Sequence, residues 1–203
     1  MGSLPHETEA VAQRSAAPRT NPPPSPARPV RVVSPHLDDA VLSAGGLMAR
    51  STGALVLYVC CSAPRPIQRT GWDRTCGVDD SDHAVRSRLF EDRRALSGLP
   101  VEREQLGLIE GQYLVSGRPQ ADADALVARI SDWCDESGGD ALIAVPAGAG
   151  WTGHSLWSRL SRTRWLLPAI PPHPDHLFAR DAVLDALPDL RDAEVWLYEE
   201  LPY

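Results

Sequence analysis

The chain has 203 residues, enough for one domain with a full hydrophobic core, and its hydrophobic fraction of 43% fits a globular protein. A formal charge of −7 argues against the basic surface that a nucleic acid or an anionic membrane would need. Every basic side chain is Arg; with no Lys present, Schiff-base and P-loop chemistry are excluded. The four cysteines form no CxxC pair, and adjacent Cys60 and Cys61 cannot make a usual structural bridge. They are read as reduced thiols of a cytoplasmic protein, Cys60 and Cys61 as core packing, with a thiol nucleophile as the weaker alternative. No stretch is long and apolar enough to span a membrane, and the N-terminal residues lack the basic-then-apolar pattern of a secretion signal.

Residues 1–29 are rich in Pro, Ala, Ser and Thr, with the run Asn21-Pro-Pro-Pro-Ser-Pro26. Such a segment buries too little apolar surface to offset its ordering entropy, so a disordered arm is expected. From Val30 onward, apolar runs alternate with helical patterns. Strands are expected at 30–33, 54–61, 104–108, 140–145 and 194–198. Helices are expected at 38–50, at 82–97 with Ser81 or Asp82 as opener, at 121–136 and at 174–187. The 38–50 helix carries apolar Val41, Leu42, Leu47 and Met48. The nearly continuous apolar run of 54–61 suits a strand buried on both faces of a parallel sheet. Strict alternation predicts a doubly wound α/β domain over 30–203. In such sheets the site forms at the carboxyl ends of the strands, in loops that lead into helices.

Two polar clusters fall at such loops. Ser34-Pro-His-Leu-Asp-Asp39 follows the first strand, and His173-Pro-Asp-His176 precedes the last helix. Residues three apart in a first helical turn face the same way, so His36 and Asp39 can converge while Asp38 aims elsewhere. His176 can join that point with His173 beside it. Two imidazoles and one carboxylate with an open position match a catalytic zinc site. Asp38 would then take the proton of an attacking water, and His173 would hydrogen-bond the oxyanion of the attacked amide. Asp175 would fix the His173 tautomer. Each cluster by itself has another explanation, because Asp and Ser also cap helix starts.

Ser34-Pro-His-Leu-Asp-Asp39, continued by Ala40-Val-Leu-Ser-Ala-Gly-Gly46, resembles the opening motif of the PIG-L/LmbE-like zinc deacetylases. His173-Pro-Asp-His176 resembles their second metal motif, and Trp196-Leu-Tyr-Glu-Glu-Leu-Pro-Tyr203 the terminus of a bacterial branch. The resemblance spans 30–203. It implies a Rossmann-like fold and hydrolysis of N-acetyl groups, usually on glucosamine-containing molecules. It also implies His36, Asp39 and His176 as metal ligands, Asp38 as general base and His173 as stabiliser of the tetrahedral intermediate.

Arg88, in Arg88-Leu-Phe-Glu91, resembles the family's substrate-contacting Arg; the alternative is an exposed helix residue paired with Glu91 or Asp92. Glu110 falls where the family often has an acidic sugar-binding residue; the alternative is a solvated loop carboxylate. Where the family passes from the Val145-Pro-Ala-Gly-Ala-Gly150 segment to its second motif within a residue or two, this chain inserts residues 151–172. The insert carries Trp151, His154, Trp157 and Trp165 and is expected to be a lid or substrate-recognition element, with Trp151 among the substrate contacts. A contact between copies of the chain is its other explanation. The expectation is a cytoplasmic, zinc-dependent N-deacetylase of an N-acetylated amino sugar or glycoconjugate in secondary metabolism. Iron(II) or cobalt would suit the same ligands. The alternatives are an amidase on a non-sugar acyl amide and a non-catalytic sugar-binding protein of this fold.

Overall fold

The computed structural model describes residues 28–138, 140–148, 172–190 and 193–200. Strand β1 (Val30–Ser34) leads through helix α1 (Asp39–Ala49) to β2 (Ala54–Ser62). A short helix α2 (Gly71–Thr75) and a long one, α3 (Ser81–Ala95), lead to β3 (Val101–Ile109). A 3-10 turn (Gly111–Tyr113) and α4 (Gln120–Glu136) carry the chain back to β4 (Leu142–Pro146). Helix α5 (Pro174–Ala186) and a second 3-10 turn (Leu187–Asp189) precede β5 (Glu194–Tyr198). The strands form one parallel sheet in the order β3-β2-β1-β4-β5.

Parallel strands need crossover helices, and right-handed crossovers place the helices according to which way the chain moves along the sheet. Going from β1 outward to β3, α1 and α3 share one face. There Ala40, Ala44 and Met48 pack on Val30, Val32, Val56, Tyr58 and Ala144. Returning through β4 to β5, α4 and α5 share the other. There Leu126, Ile130, Trp133, Ala179 and Val183 pack on Val33, Leu57, Val59, Ile143 and Val145. Strand residues alternate between the two layers, except at Val59 and Cys60, which share one layer where the pairing of β2 with β3 shifts register. Cys60 lies in one layer and Cys61 in the other, so the adjacent thiols point apart and both are buried. The doubly wound α/β expectation holds.

Several details differ from the sequence patterns. Helix α1 buries the small stripe Ala40, Ala44 and Met48, one residue per turn, while Leu42 stays 52% exposed. Leu42, two residues from both Ala40 and Ala44, points to the side of the helix away from the sheet. Helix α3 is opened by Asp80, whose carboxylate accepts from the N–H groups of Asp82 and His83, rather than by Ser81 or Asp82. Strand β3 runs from Val101, three residues earlier than expected, because its polar start still pairs with β2 at the sheet edge. Arg28 and Pro29 belong to the folded chain: Arg28 pairs with Asp140 and Glu194, and Leu142 N–H donates to the Pro29 carbonyl at 3.0 Å. The remainder of the expected arm, residues 1–27, lies outside the described residues, as do residues 149–171 with Trp151 and most of the expected insert. Among the described residues, no helix is long and apolar enough to cross a membrane.

Candidate active site

The crossovers diverge between β1 and β4: α1 leaves to one face, α5 to the other. This switch point opens a crevice at the carboxyl edge of the sheet. The loop after β1 delivers His36, Asp38 and Asp39 to it, and the start of α5 delivers His173, Asp175 and His176.

The first loop is shaped by Ser34. Its buried hydroxyl donates to the His36 carbonyl at 2.6 Å and accepts from Ala40 N–H at 3.0 Å. The second contact does the work of a helix cap. Asp38, which occupies the N-cap position, makes no side-chain cap bond and is exposed to the crevice. Capping therefore does not explain Asp38. Asp39 is buried, and its carboxylate accepts from His36 N–H at 2.9 Å.

Three atoms converge. His36 Nδ1 lies 3.4 Å from Asp39 Oδ2, His176 Nε2 lies 3.2 Å from the same oxygen, and the two ring nitrogens are 3.2 Å apart. Ligand atoms at ordinary zinc distances in a tetrahedral shell are separated by about 3.3–3.4 Å. The triangle thus has the size that one face of such a shell requires, and its donors are of the type that catalytic zinc takes. The imidazoles of His36, His173 and His176 can also bring one ligand atom each within 4.8 Å of one another. His173 fits that role less well, because it is exposed and its Nδ1 accepts the backbone N–H of Asp175 at 3.2 Å. With Nδ1 engaged as acceptor, neutral His173 carries its proton on Nε2.

Each buried imidazole is held from behind by a carboxylate. His36 Nε2 lies 3.0 Å from Asp175 Oδ2, and His176 Nδ1 bonds to Glu200. Such partners fix the tautomer that leaves the other nitrogen free for a metal. The Asp175 carboxylate serves His36, not His173, from which it stays 4.0 Å away. The reason is the helix start: Pro174 and Asp175 open α5, so the Asp175 main chain caps onto His173 while its side chain turns inward. There it also accepts from Gly111 N–H at 2.9 Å and from Arg118 at 2.6 Å. A Cβ on Gly111 would sit 2.7 Å from Asp175 Oδ1, so only glycine permits this approach. Glu200 is fixed by Gly148 N–H, and Gly148 has a positive φ of 61°.

The electrostatics favour positive charge here. Burial alone would lower the pKa of His36, but hydrogen bonds to Asp175 and Asp39 raise it to about 10. Against the same burial, Asp39 and Glu200 raise His176 to about 9. Asp39 and Asp175 resist burial and stay well below the usual carboxylate range, through their bonds with the imidazoles. His173 moves the other way, to about 4, driven by burial and by the neighbouring charge of His36. The carboxylates that hold protons on His36 and His176 would equally hold a cation between them.

Beside the triangle lies a cavity of about 610 Å³, bordered by His36, Asp38, His173, Arg88, Glu110 and Trp72 among others. Arg88 pairs with Glu110 at 2.5 Å, rather than with Glu91 or Asp92 along its own helix. Glu110 is only 5% exposed and also accepts from Gln112 at 2.6 Å, so it is no solvated loop carboxylate. Patterns in the sequence do not single out Arg118, Glu200 or Trp72. Arg118 has no motif of its own. Glu200 lies in the 196–203 segment that resembles the family's terminus, but nothing local marks it as the partner of His176; each follows a strand at the carboxyl edge. Trp72 follows a legible signal, the capping pattern Thr70-Gly-Trp-Asp73.

No protein-family model matches the chain, and no curated protein does. Solved structures do match. A deacetylase–bog complex in the biosynthesis pathway of teicoplanin is 27% identical with a TM-score of 0.62, covering 86% of this chain and 68% of that one. The zinc inhibited form of teicoplanin deacetylase is 27% identical, with a TM-score of 0.60 over 86% and 68% of the two chains. A deacetylase–teicoplanin complex is 26% identical, with a TM-score of 0.60 over 86% and 71%.

Proposed function

We propose that the chain is a metal-dependent N-deacetylase of the PIG-L/LmbE type, acting on an amino-sugar-containing small molecule of secondary metabolism. The observation that carries this reading is the triangle of His36 Nδ1, Asp39 Oδ2 and His176 Nε2, with the uncapped Asp38 carboxylate on the adjoining cavity. The similarity to deacetylases of teicoplanin biosynthesis supports the reaction and the substrate class. Zinc is the metal proposed, and His36, Asp39 and His176 are its ligands.

A divalent cation at that point would supply Lewis acidity, polarising the amide carbonyl and lowering the pKa of a water. Asp38 takes the proton of the water that attacks the acetyl carbon, and holds the proton that the departing nitrogen requires. His173, neutral with its proton on Nε2, donates to the oxyanion as the carbonyl becomes tetrahedral. Its Nδ1 bond to the Asp175 main chain keeps that donor in place. Asp175 and Glu200 orient His36 and His176, and Arg118 anchors Asp175. The C–N bond then breaks to give acetate and a free amine.

The test is acetate release from N-acetylglucosaminides and an N-acetylated glycopeptide glycoside by protein carrying one equivalent of zinc. We expect acetate and amine in equal amounts, abolished by a chelator and restored by one equivalent of metal. Activity that survives complete metal removal would overturn the reading.

A further inference from the structure

Trp72, on α2, borders the cavity together with His36, Asp38 and His173, and keeps 56% of its surface exposed. The proposed hydrolysis makes no use of it. A large indole facing a cavity forgoes the burial that such side chains otherwise gain. Its backbone is nonetheless held fast. A five-residue helix cannot stand on its own hydrogen bonds, and α2 is pinned from below. Thr70 and Asp73 form a capping box. Asp73 is 1% exposed and accepts from the Tyr113 hydroxyl at 2.6 Å.

The same anchor continues into the polar wall of the cavity. The Thr70 hydroxyl lies 2.8 Å from Gln112 Oε1, Gln112 Nε2 donates to Glu110 Oε2 at 2.6 Å, and Arg88 donates to Glu110 Oε1 at 2.5 Å. One hydrogen-bonded chain thus fixes Trp72 relative to Arg88 and Gln112. Both oxygens of Glu110 are engaged, so Glu110 is a brace, and the wall offers the remaining N–H groups of Arg88 and Gln112 as donors. A ligand matching both surfaces needs a flat C–H face for the indole and an edge of oxygen acceptors for the wall. A pyranose ring has both.

We infer that Trp72 is the platform on which the sugar ring of the substrate stacks, and so the residue that selects amino sugars over acyclic N-acetyl amides. This rests on the deacetylase reading above. The test compares wild type, Trp72→Ala and Trp72→Phe, each with one equivalent of zinc, on p-nitrophenyl N-acetyl-β-glucosaminide and on N-acetylethanolamine. The ratio of kcat/KM for ring over acyclic substrate should fall about tenfold or more in Trp72→Ala, mainly through KM. In Trp72→Phe it should stay within about threefold, since a phenyl ring still stacks. Equal loss on both substrates, or no change in the ratio, would overturn the inference.

Cleavage of neither amide by wild type would count against the deacetylase reading and leave the platform to be judged by binding. Methyl β-glucosaminide is then titrated against the metal-free protein, with tryptophan emission as the signal. The chain has six Trp, so the difference between wild type and Trp72→Phe isolates position 72. A saturable change in wild type that is absent in Trp72→Phe supports stacking; identical responses, or none in either protein, overturn it.

Discussion

At the histidine end of the cavity the side chains are held from behind: His36 by Asp175, His176 by Glu200, and Asp175 in turn by Arg118 and Gly111. At the far wall the bracing stops at the backbone of α2, and the indole of Trp72 is left exposed. On the proposed function, the first end would hold one small, highly charged occupant in a fixed position, and the second would meet a larger, softer surface that arrives and leaves. Fixed chemistry and adaptable recognition would thus be divided between two walls of one cavity.

The largest effect should come from the triangle. His176→Ala removes one vertex, and with it the imidazole that pairs with both Asp39 and Glu200. We expect loss of stoichiometric zinc by metal analysis, and activity lowered by at least ~10³-fold. Asp175→Asn should act one step back, weakening the hold on His36 and on Arg118, which keeps Asp122 and the Ile109 carbonyl as partners. Zinc affinity should fall about 10–100-fold in a competition titration, with the metal still bound at saturation. Should Asp175→Asn bind zinc as tightly as wild type, the bracing of the histidine end is only structural.

A smaller, graded effect follows from protonation. In the metal-free protein the pKa values of His36 and His176 stand at about 10 and about 9, above the ordinary 6.5. Their contribution to stability is therefore complete below pH 6.5 and lost as pH rises through 9 and 10. The Tm of metal-free protein should decline over that window, by a few degrees, while zinc-loaded protein declines less. Zinc should also displace those protons and bind more tightly as pH rises. A flat Tm in the metal-free protein would mean that the two imidazoles are not held charged.

Much of this was legible in the sequence, because local spacing dictates it. His36 and Asp39 share a helical face by period, and the β-α alternation places both polar clusters at one sheet edge. What escaped was set by contacts distant in the chain. Asp175 was expected to serve its neighbour His173, yet it bonds to His36, 139 positions away. Arg118 gains its role only where β3 ends beside α5. Leu42 looked like core and is exposed, because the face of α1 that meets the sheet is the one carrying Ala40, Ala44 and Met48, and Leu42 lies on the side opposite. Helix α2 is too short for any periodicity, and only its capping pair marks it.

The most direct measurement is zinc content and amine release for wild type and Asp38→Asn on the same N-acetylated amino sugar. Asp38 neither caps its helix nor belongs to the triangle, so Asn at this position should leave one zinc per chain in place. Amine release should fall roughly 10²–10⁴-fold, the range for a lost general base. Release at the wild-type rate by zinc-loaded Asp38→Asn would contradict the account.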